Sequence, residues 1–352
     1  MAASVGPDPA LTLLGAELSW AFGRCGEARL QLSLLPPAEE REPELGDLFP
    51  QGIACAQRLG DDDWLQELHS LLRQNGQIRA AEQLRHQAGR GWARLESPVV
   101  RTLHHVACSG GTLISRCLAA QPGVVLLSEL NPLNRYGGAF NPSHPLALLG
   151  LLGEPLPQEV LKAEFLGQME QVMALCAARG SDLVIRDHSH SEFCRGVAVA
   201  PLQPVRAWLA PRGPLLSLVT LRHPLDSWLG LVAAGWHTQF EPSTLLAYCA
   251  RYQAFLDAYD DLDWIHYEDF CSQPEPVFRQ ICKALYLPCD PSALERIGSI
   301  TLSGNSGRAS DRIEPRPRRP IPADVLSELS DPATARELRL LCQRMGYGAE
   351  LG

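Results

Sequence analysis

No two of the eleven cysteines stand in a CxxC pair. Zinc ribbons, redox dithiols and disulfide frameworks all need tighter, paired spacing, so none of them is expected. The simplest expectation is reduced, mostly buried thiols in a cytoplasmic compartment. The N-terminal run MAASVGPDPA lacks both the basic stretch and the apolar stretch of a secretory signal. No apolar run approaches about 18 residues, the span a membrane helix needs. The longest candidate, Pro145–Leu152 (PLALLGLL), is too short, so no membrane association is expected. An excess of positive charge is missing too: 31 Lys and Arg face 40 Asp and Glu, for a net charge of −9. That balance disfavours nucleic acid as a partner. It leaves room for a small anion site, which needs only local charge and aimed backbone N–H groups. What the 352 residues do have is 45% apolar and 20% charged content, enough to bury a core.

Residues 1–95 read as helical and carry no strand signal. The clearest part is Asp61–Ala88, where Trp64, Leu65, Leu68, Leu71 and Leu72 recur at helical spacing. Asp61–Asp63 suits the positive end of that helix. Asn75-Gly76 breaks it, and Ile78, Ala81 and Leu84 carry a second apolar face. The result is a helical hairpin, faintly like one tetratricopeptide unit, but no period repeats elsewhere. A small helical cap is expected, with a protein-partner arm as the alternative. Leu35–Pro50 reads as a linker.

From residue 96 the pattern changes, and residues 96–352 read as one α/β domain. Candidate strands are Val99–Ala107, Val124–Leu127, Asp182–Arg186, Leu215–Leu221 and Trp264–Tyr267. Helices are expected at Thr112–Ala120, Gln158–Ala178, Pro224–Ala234, Ser243–Ala258 and Pro274–Leu285. Such alternation argues for a parallel sheet covered on both faces, a three-layer α/β/α architecture. Ligands then bind at the carboxyl ends of the strands.

Four segments at those ends carry chemistry. In VACSGGTLISRCL (Val106–Leu118), Ser109, Gly110, Gly111 and Thr112 join a strand to a helix. Glycines let successive N–H groups share one concavity, and the helix start adds partial positive charge. In LLSLVTLRHPLDSWLG (Leu215–Gly230), the strand delivers Arg222, and Pro224 suits the first turn of a helix. SGNSGR (Ser303–Arg308) is a Ser/Gly loop with one arginine, next to Arg312, Arg316, Arg318 and Arg319. DLVIRDHSH (Asp182–His190) sets Arg186, Asp187, His188 and His190 at a strand end, where a histidine suits general-base work near neutral pH. Taken singly, each segment is also compatible with an ordinary turn, ion pair or loop.

In this order and spacing, the four segments resemble the sulfotransferases that use 3′-phosphoadenosine 5′-phosphosulfate. SELNPL (Ser128–Leu133) and the late MGYG are similar to bacterial members. The resemblance covers about residues 97–347 and implies a P-loop-like fold. It implies a 5′-phosphosulfate loop over Ser109, Gly110, Gly111, Thr112 and Leu113. It implies a 3′-phosphate site of Arg222 and Ser227, closed by Ser306, Gly307 and Arg308. It implies His188 as base, with Glu129 as the rival, no metal, and an acceptor of unknown kind: a small molecule, a glycan or a peptide.

Two positions depart from the family pattern. The loop usually opens on a basic residue, and here it opens on Cys108. A serine usually stands eight residues after the 3′-phosphate arginine, and here that position is Gly230. Ser227, one turn earlier, is the expected substitute, and Arg186 or the arginines after Arg308 are candidates for the missing charge. Two rival functions follow. One is a non-catalytic binding protein with a degenerate site. The other is a P-loop kinase, which needs a loop lysine in GxxxxGKS/T spacing that this chain lacks, and acidic magnesium ligands such as Glu129 and Asp187.

Overall fold

Five parallel strands form a central sheet within residues 97–352: β1 (Val100–His104), β2 (Val124–Leu130), β3 (Asp182–Asp187), β4 (Leu215–Leu221) and β5 (Trp264–His266). Their spatial order is β2-β3-β1-β4-β5, and every pairing is parallel. This computed structural model describes residues 69, 73, 78, 81–82, 99–133, 156–179, 181–199, 202–213, 215–302 and 312–348. The chain divides into two compact units, Met1–Glu96 and Ser97–Gly352. In the first, the described residues 69, 73, 78, 81 and 82 are helical. The expected linker, Leu35–Pro50, lies outside the described residues.

β1 is buried at all five positions because both faces of a central parallel strand are covered. The faces separate cleanly. Leu103, Val184 and Leu218 point into one layer, packed by α1 (Gly111–Ala119), α7 (Tyr267–Ser272) and α8 (Pro274–Leu285). Val100, Leu183 and Ile185 point the other way, onto α2 (Gln158–Arg179) and α4 (Pro204–Leu209). On that second face Val219 and Leu221 meet α3 (His190–Phe193), α5 (Pro224–Ala234), α6 (Leu245–Ala258), α9 (Ala323–Ser330) and α10 (Pro332–Arg344).

α8 illustrates the local logic. Val277, Phe278, Ile281, Cys282 and Leu285 recur on one face, and all are buried. Pro274 stands in its first turn, where a missing N–H costs nothing. Each large apolar side chain so buried stabilises the fold by roughly 1.5–3 kcal/mol.

Two groups of polar side chains inside the sheet are tied together. Arg101 donates to the carbonyls of Leu285 (2.8 Å), Val99 (3.1 Å) and Tyr286 (3.0 Å), and pairs with Asp182 at 3.2 Å. It therefore ties β1 to β3 and to the end of α8. A relay runs from Ser217 to Thr102 (2.7 Å), Thr102 to His104 (2.9 Å) and His104 to Asp187 (2.9 Å), leading toward the carboxyl edge of the sheet.

Candidate active site

The apolar pattern predicts β1 as far as Ala107, but the strand ends at His104. The next six residues instead build a tight bend, in which Cys108 (φ 63°) and Gly110 (φ 87°) adopt left-handed backbone. α1 starts at Gly111 with no side-chain cap on its first turn. Its early N–H groups are of the kind that serve anions. Two aromatic rings lie against the bend. A Cβ on Gly110 would come within 2.0 Å of the Tyr267 ring, and one on Gly111 within 2.3 Å of the His105 ring. Only glycine fits at either position.

The bend uses its expected residues unequally. Thr112 lines the adjoining cleft. The Ser109 hydroxyl is turned inward and donates to the Val106 carbonyl at 2.7 Å, which closes the bend. Leu113 corrects the sequence expectation. Its N–H already donates to the Gly110 carbonyl at 3.0 Å, and its side chain is part of the core.

Arg222 follows β4 and reaches back to this bend. Its Nη1 donates to the Cys108 carbonyl at 3.0 Å, and its guanidinium lies 4.9 Å from the centre of the Tyr267 ring. Tyr252 holds its backbone, accepting from the Arg222 N–H (3.3 Å) and donating to the Arg222 carbonyl (3.2 Å). The chain's end supports the same corner. The Tyr347 hydroxyl donates to Glu268 at 2.7 Å, and Glu268 accepts the His223 N–H at 3.0 Å.

Ser227 is the second correction. It is fully buried on α5, its hydroxyl within reach of the carbonyls of His223 (3.3 Å) and Pro224 (3.0 Å), and it accepts from Tyr248 at 2.9 Å. A hydroxyl so placed faces the core, not a ligand. Ser306, Gly307 and Arg308 lie outside the described residues. Of the basic cluster, Arg318 pairs with Asp226 on α5 at 3.0 and 3.2 Å.

Beside the bend, a cleft of about 260 Å³ opens at the carboxyl ends of β1, β2 and β3. Glu129 and His188 both line it. Glu129 has left-handed backbone (φ 57°) where β2 loses register with β3. Such strain in a non-glycine residue costs about 1–3 kcal/mol and clusters at functional sites. Cys108 and Glu129, two of the non-glycine residues in this region of φ, both line the cleft.

Arg186 crosses the cleft floor, buried. It donates to His105 Nε2 at 3.0 Å and Ser128 Oγ at 3.2 Å, and pairs with Glu129 at 3.1 Å. Burial, then the Arg186 charge, hold His105 well below the usual histidine range, so its Nε2 carries no proton and accepts. Asp187, weighed as a metal ligand, has one oxygen taken by the network. Its Oδ2 lies 2.9 Å from His104 Nδ1 and accepts from Ser189 (2.9 Å) and Tyr259 (3.2 Å). Among the described residues no group of three His, Cys, Asp or Glu is arranged to hold a metal ion. None of the described helices is long and apolar enough to cross a membrane.

The sequence marks the far wall only in part. Of the aromatic residues that follow α5, Trp236 and Phe240, the first lines the cleft and the second is in the core. Gln239 and Arg195 also line it. Arg195 sits in a loop held by the buried Arg251, which donates to the carbonyls of Phe193 (2.9 Å), Gly196 (2.7 Å) and Val197 (3.0 Å). No local pattern marks these residues, because the contacts that gather them are between distant segments, as where the Gly196 N–H meets the Gln239 carbonyl.

The two departures from the family pattern touch each other. A Cβ on Gly230 would lie 2.8 Å from Cys108 Cβ and 3.1 Å from its Sγ. Glycine on α5 thus makes room for the cysteine. Burial pushes the Cys108 thiol up to about 11, against the opposing pull of Arg222 and Arg319, so it stays neutral.

Neither the family models nor the curated proteins include a match to this chain. Among solved structures, the sulfotransferase domain of the Synechococcus PCC 7002 olefin synthase is similar over 72% of this chain and 96% of its own. The identity is 18% and the TM-score 0.43. The sulfotransferase from Alicyclobacillus acidocaldarius is similar over 72% of this chain and 98% of its own, at 15% identity and a TM-score of 0.37. Likeness at that level leaves the function to be argued from the side chains.

Proposed function

We propose that the chain transfers a sulfuryl group from 3′-phosphoadenosine 5′-phosphosulfate to a hydroxyl or amine. The observation that carries this reading is the Arg222–Cys108 contact. It brings the strand-end arginine of β4 and the glycine bend after β1 into one corner, with Tyr267 between them. That corner offers a phosphate-binding cation and a set of helix-start N–H groups side by side.

In this reading the N–H groups of Gly110, Gly111 and Thr112 and the Thr112 hydroxyl hold the phosphosulfate. Arg222, joined by Arg308, holds the 3′-phosphate. The charge that Cys108 does not supply comes from its surroundings, with Arg222 and Arg319 beside it and Arg186 across the cleft. Fixed charge aimed at a leaving group often contributes more to such catalysis than any other single effect.

His188 takes the acceptor proton. Glu129 is a weaker choice because its carboxylate is tied to Arg186. A histidine base loses rate as pH falls through about 6–7, whereas a glutamate of ordinary basicity holds activity to about pH 5. His188→Ala abolishing turnover with unchanged nucleotide affinity supports the assignment; a wild-type rate in that variant refutes it.

The neutral Cys108 favours one second reading, a protein that binds the nucleotide without transferring the group. Calorimetry with adenosine 3′,5′-bisphosphate and with ATP–Mg²⁺ tests the first step. Binding of the bisphosphate alone supports the site, and a preference for ATP–Mg²⁺ overturns it. Radiolabelled donor then separates transfer from binding.

A further inference from the structure

The cleft wall contains polar atoms that nothing in the protein satisfies. His105 Nδ1, Asp187 Oδ1, His190 Nε2 and Gln239 Oε1 are all buried without a hydrogen-bond partner, and all four residues line the same cleft. An unmet buried donor or acceptor costs about 1–3 kcal/mol, and native proteins keep few of them. Four around one cleft mark a surface that is completed by an occupant.

The kinds of atom identify the occupant. His105 Nε2 accepts from Arg186, so its Nδ1 carries the proton and is a donor. His190 Nδ1 accepts from the Ala107 N–H at 3.4 Å, so its Nε2 is a donor as well. Burial, then the Arg195 charge, take His190 down to about 3, which keeps that ring neutral. Gln239 lies beside His190 and opposes that shift as a hydrogen-bond partner does, although neither His190 Nε2 nor Gln239 Oε1 has a partner in full hydrogen-bond geometry. A hydroxyl seated beside the pair can accept from His190 Nε2 and donate to Gln239 Oε1. Asp187 Oδ1 and Gln239 Oε1 are acceptors. An anion offers only acceptors and an ammonium only donors, and a phenyl ring offers neither. Hydroxyl groups both donate and accept, so a compound with several of them meets the whole set. Trp236 also lines the cleft, and an aromatic side chain there suits the C–H side of a saturated ring. A volume of about 260 Å³ suits one such ring.

We propose that the acceptor is a small polyhydroxylated ring, a monosaccharide or cyclitol unit. This rests on the sulfuryl-transfer reading. The acceptor's hydroxyl oxygen forms a bond to the donor's sulfur as the sulfur–oxygen bond to the 5′-phosphate breaks. The hydroxyl proton passes to His188. Adenosine 3′,5′-bisphosphate and a sulfate ester leave.

Transfer from ³⁵S-labelled donor to methyl glucoside, myo-inositol, 4-nitrophenol and benzylamine tests the idea with the full chain. The expected result is kcat/KM at least tenfold higher for the best polyol than for the phenol or the amine. Gln239→Ala, on a surface turn, is expected to raise the polyol KM about tenfold while the affinity for adenosine 3′,5′-bisphosphate stays as in the wild type. Preference for 4-nitrophenol or benzylamine overturns the proposal, and so does an unmoved KM in Gln239→Ala. Bisphosphate binding with no transfer to either polyol overturns it too, while leaving the nucleotide site standing. Absence of bisphosphate binding refutes the underlying function instead.

Discussion

Replacing Gly110 with alanine introduces two separable penalties. Its φ of 87° is left-handed, a conformation that costs an L-residue about 1–2 kcal/mol. The new Cβ would also lie 2.0 Å from Tyr267 Cδ2, and such overpacking costs about 1–3 kcal/mol. The sum, about 2–5 kcal/mol, corresponds to a fall in Tm of roughly 5–15 °C for a domain of this size. Gly123 supplies the control. Its φ is 79°, and a Cβ there meets nothing within 4 Å, so Gly123→Ala should show only the backbone strain of about 1–2 kcal/mol. The difference between the two variants isolates the ring. Because Arg222 lies over that ring, displacing Tyr267 should also weaken binding of adenosine 3′,5′-bisphosphate at least tenfold in Gly110→Ala and leave Gly123→Ala unaffected. In a Tyr267→Ala background Gly110→Ala should cost less than in the wild type, because the clash is gone. Thermal unfolding and calorimetry read both effects. If Gly110→Ala is no less stable than Gly123→Ala and binds the nucleotide as well, the packing of ring on bend is wrong.

Other expectations are as direct. Gly230→Ser should destabilise by about 1–3 kcal/mol through its contact with Cys108, and by less when Cys108 is glycine. Urea unfolding of the double-mutant cycle should give a coupling of about 1 kcal/mol or more, and additivity would refute the contact. Burial, then the Asp187 charge, raise the Glu192 carboxyl to about 7, against hydrogen bonds from Gln203, Asn131 and Leu202. The folded state therefore holds this proton more tightly than the unfolded chain. The associated stability is full below about pH 4.5 and is lost as pH rises toward about 7. Glu192→Gln should flatten that window in unfolding measurements, and an unchanged slope would exclude Glu192 as its source. Phe278→Ala, in the apolar face of α8, should cost about 3–5 kcal/mol, and a loss under 1 kcal/mol would contradict its place in the core.

β4 and α5 are legible in the sequence to the residue, because each signal is local. An apolar run of seven ends at Arg222, Pro224 opens the helix, and Gly235 takes the left-handed closing position (φ 71°). The glycine bend is legible for the same reason. What stays hidden depends on contacts between distant segments. Ser227 shares a helix with Asp226, and only the packing of α6, which brings Tyr248 to it, turns its hydroxyl inward. Nothing near Arg186 in the sequence names its partner, which the β2 distortion at Glu129 supplies. The reason for Gly110 lies 157 positions away in Tyr267. The tail MGYG is only a likeness in the sequence, whereas in the fold Tyr347 braces Glu268 and, through it, His223. α10 carries local signals of the same kind as α5, with Asp331 capping the Thr334 N–H, Pro332 in the first turn and Leu338, Leu341 and Cys342 buried.

The central claim is that the bend and Arg222 together form one nucleotide site. Titrating adenosine 3′,5′-bisphosphate into the wild-type chain and into Arg222→Ala tests it most directly. Saturable binding that weakens about a hundredfold in the variant, with Tm held within a few degrees, is the predicted result; no binding to the wild type, or equal affinity in both, contradicts it.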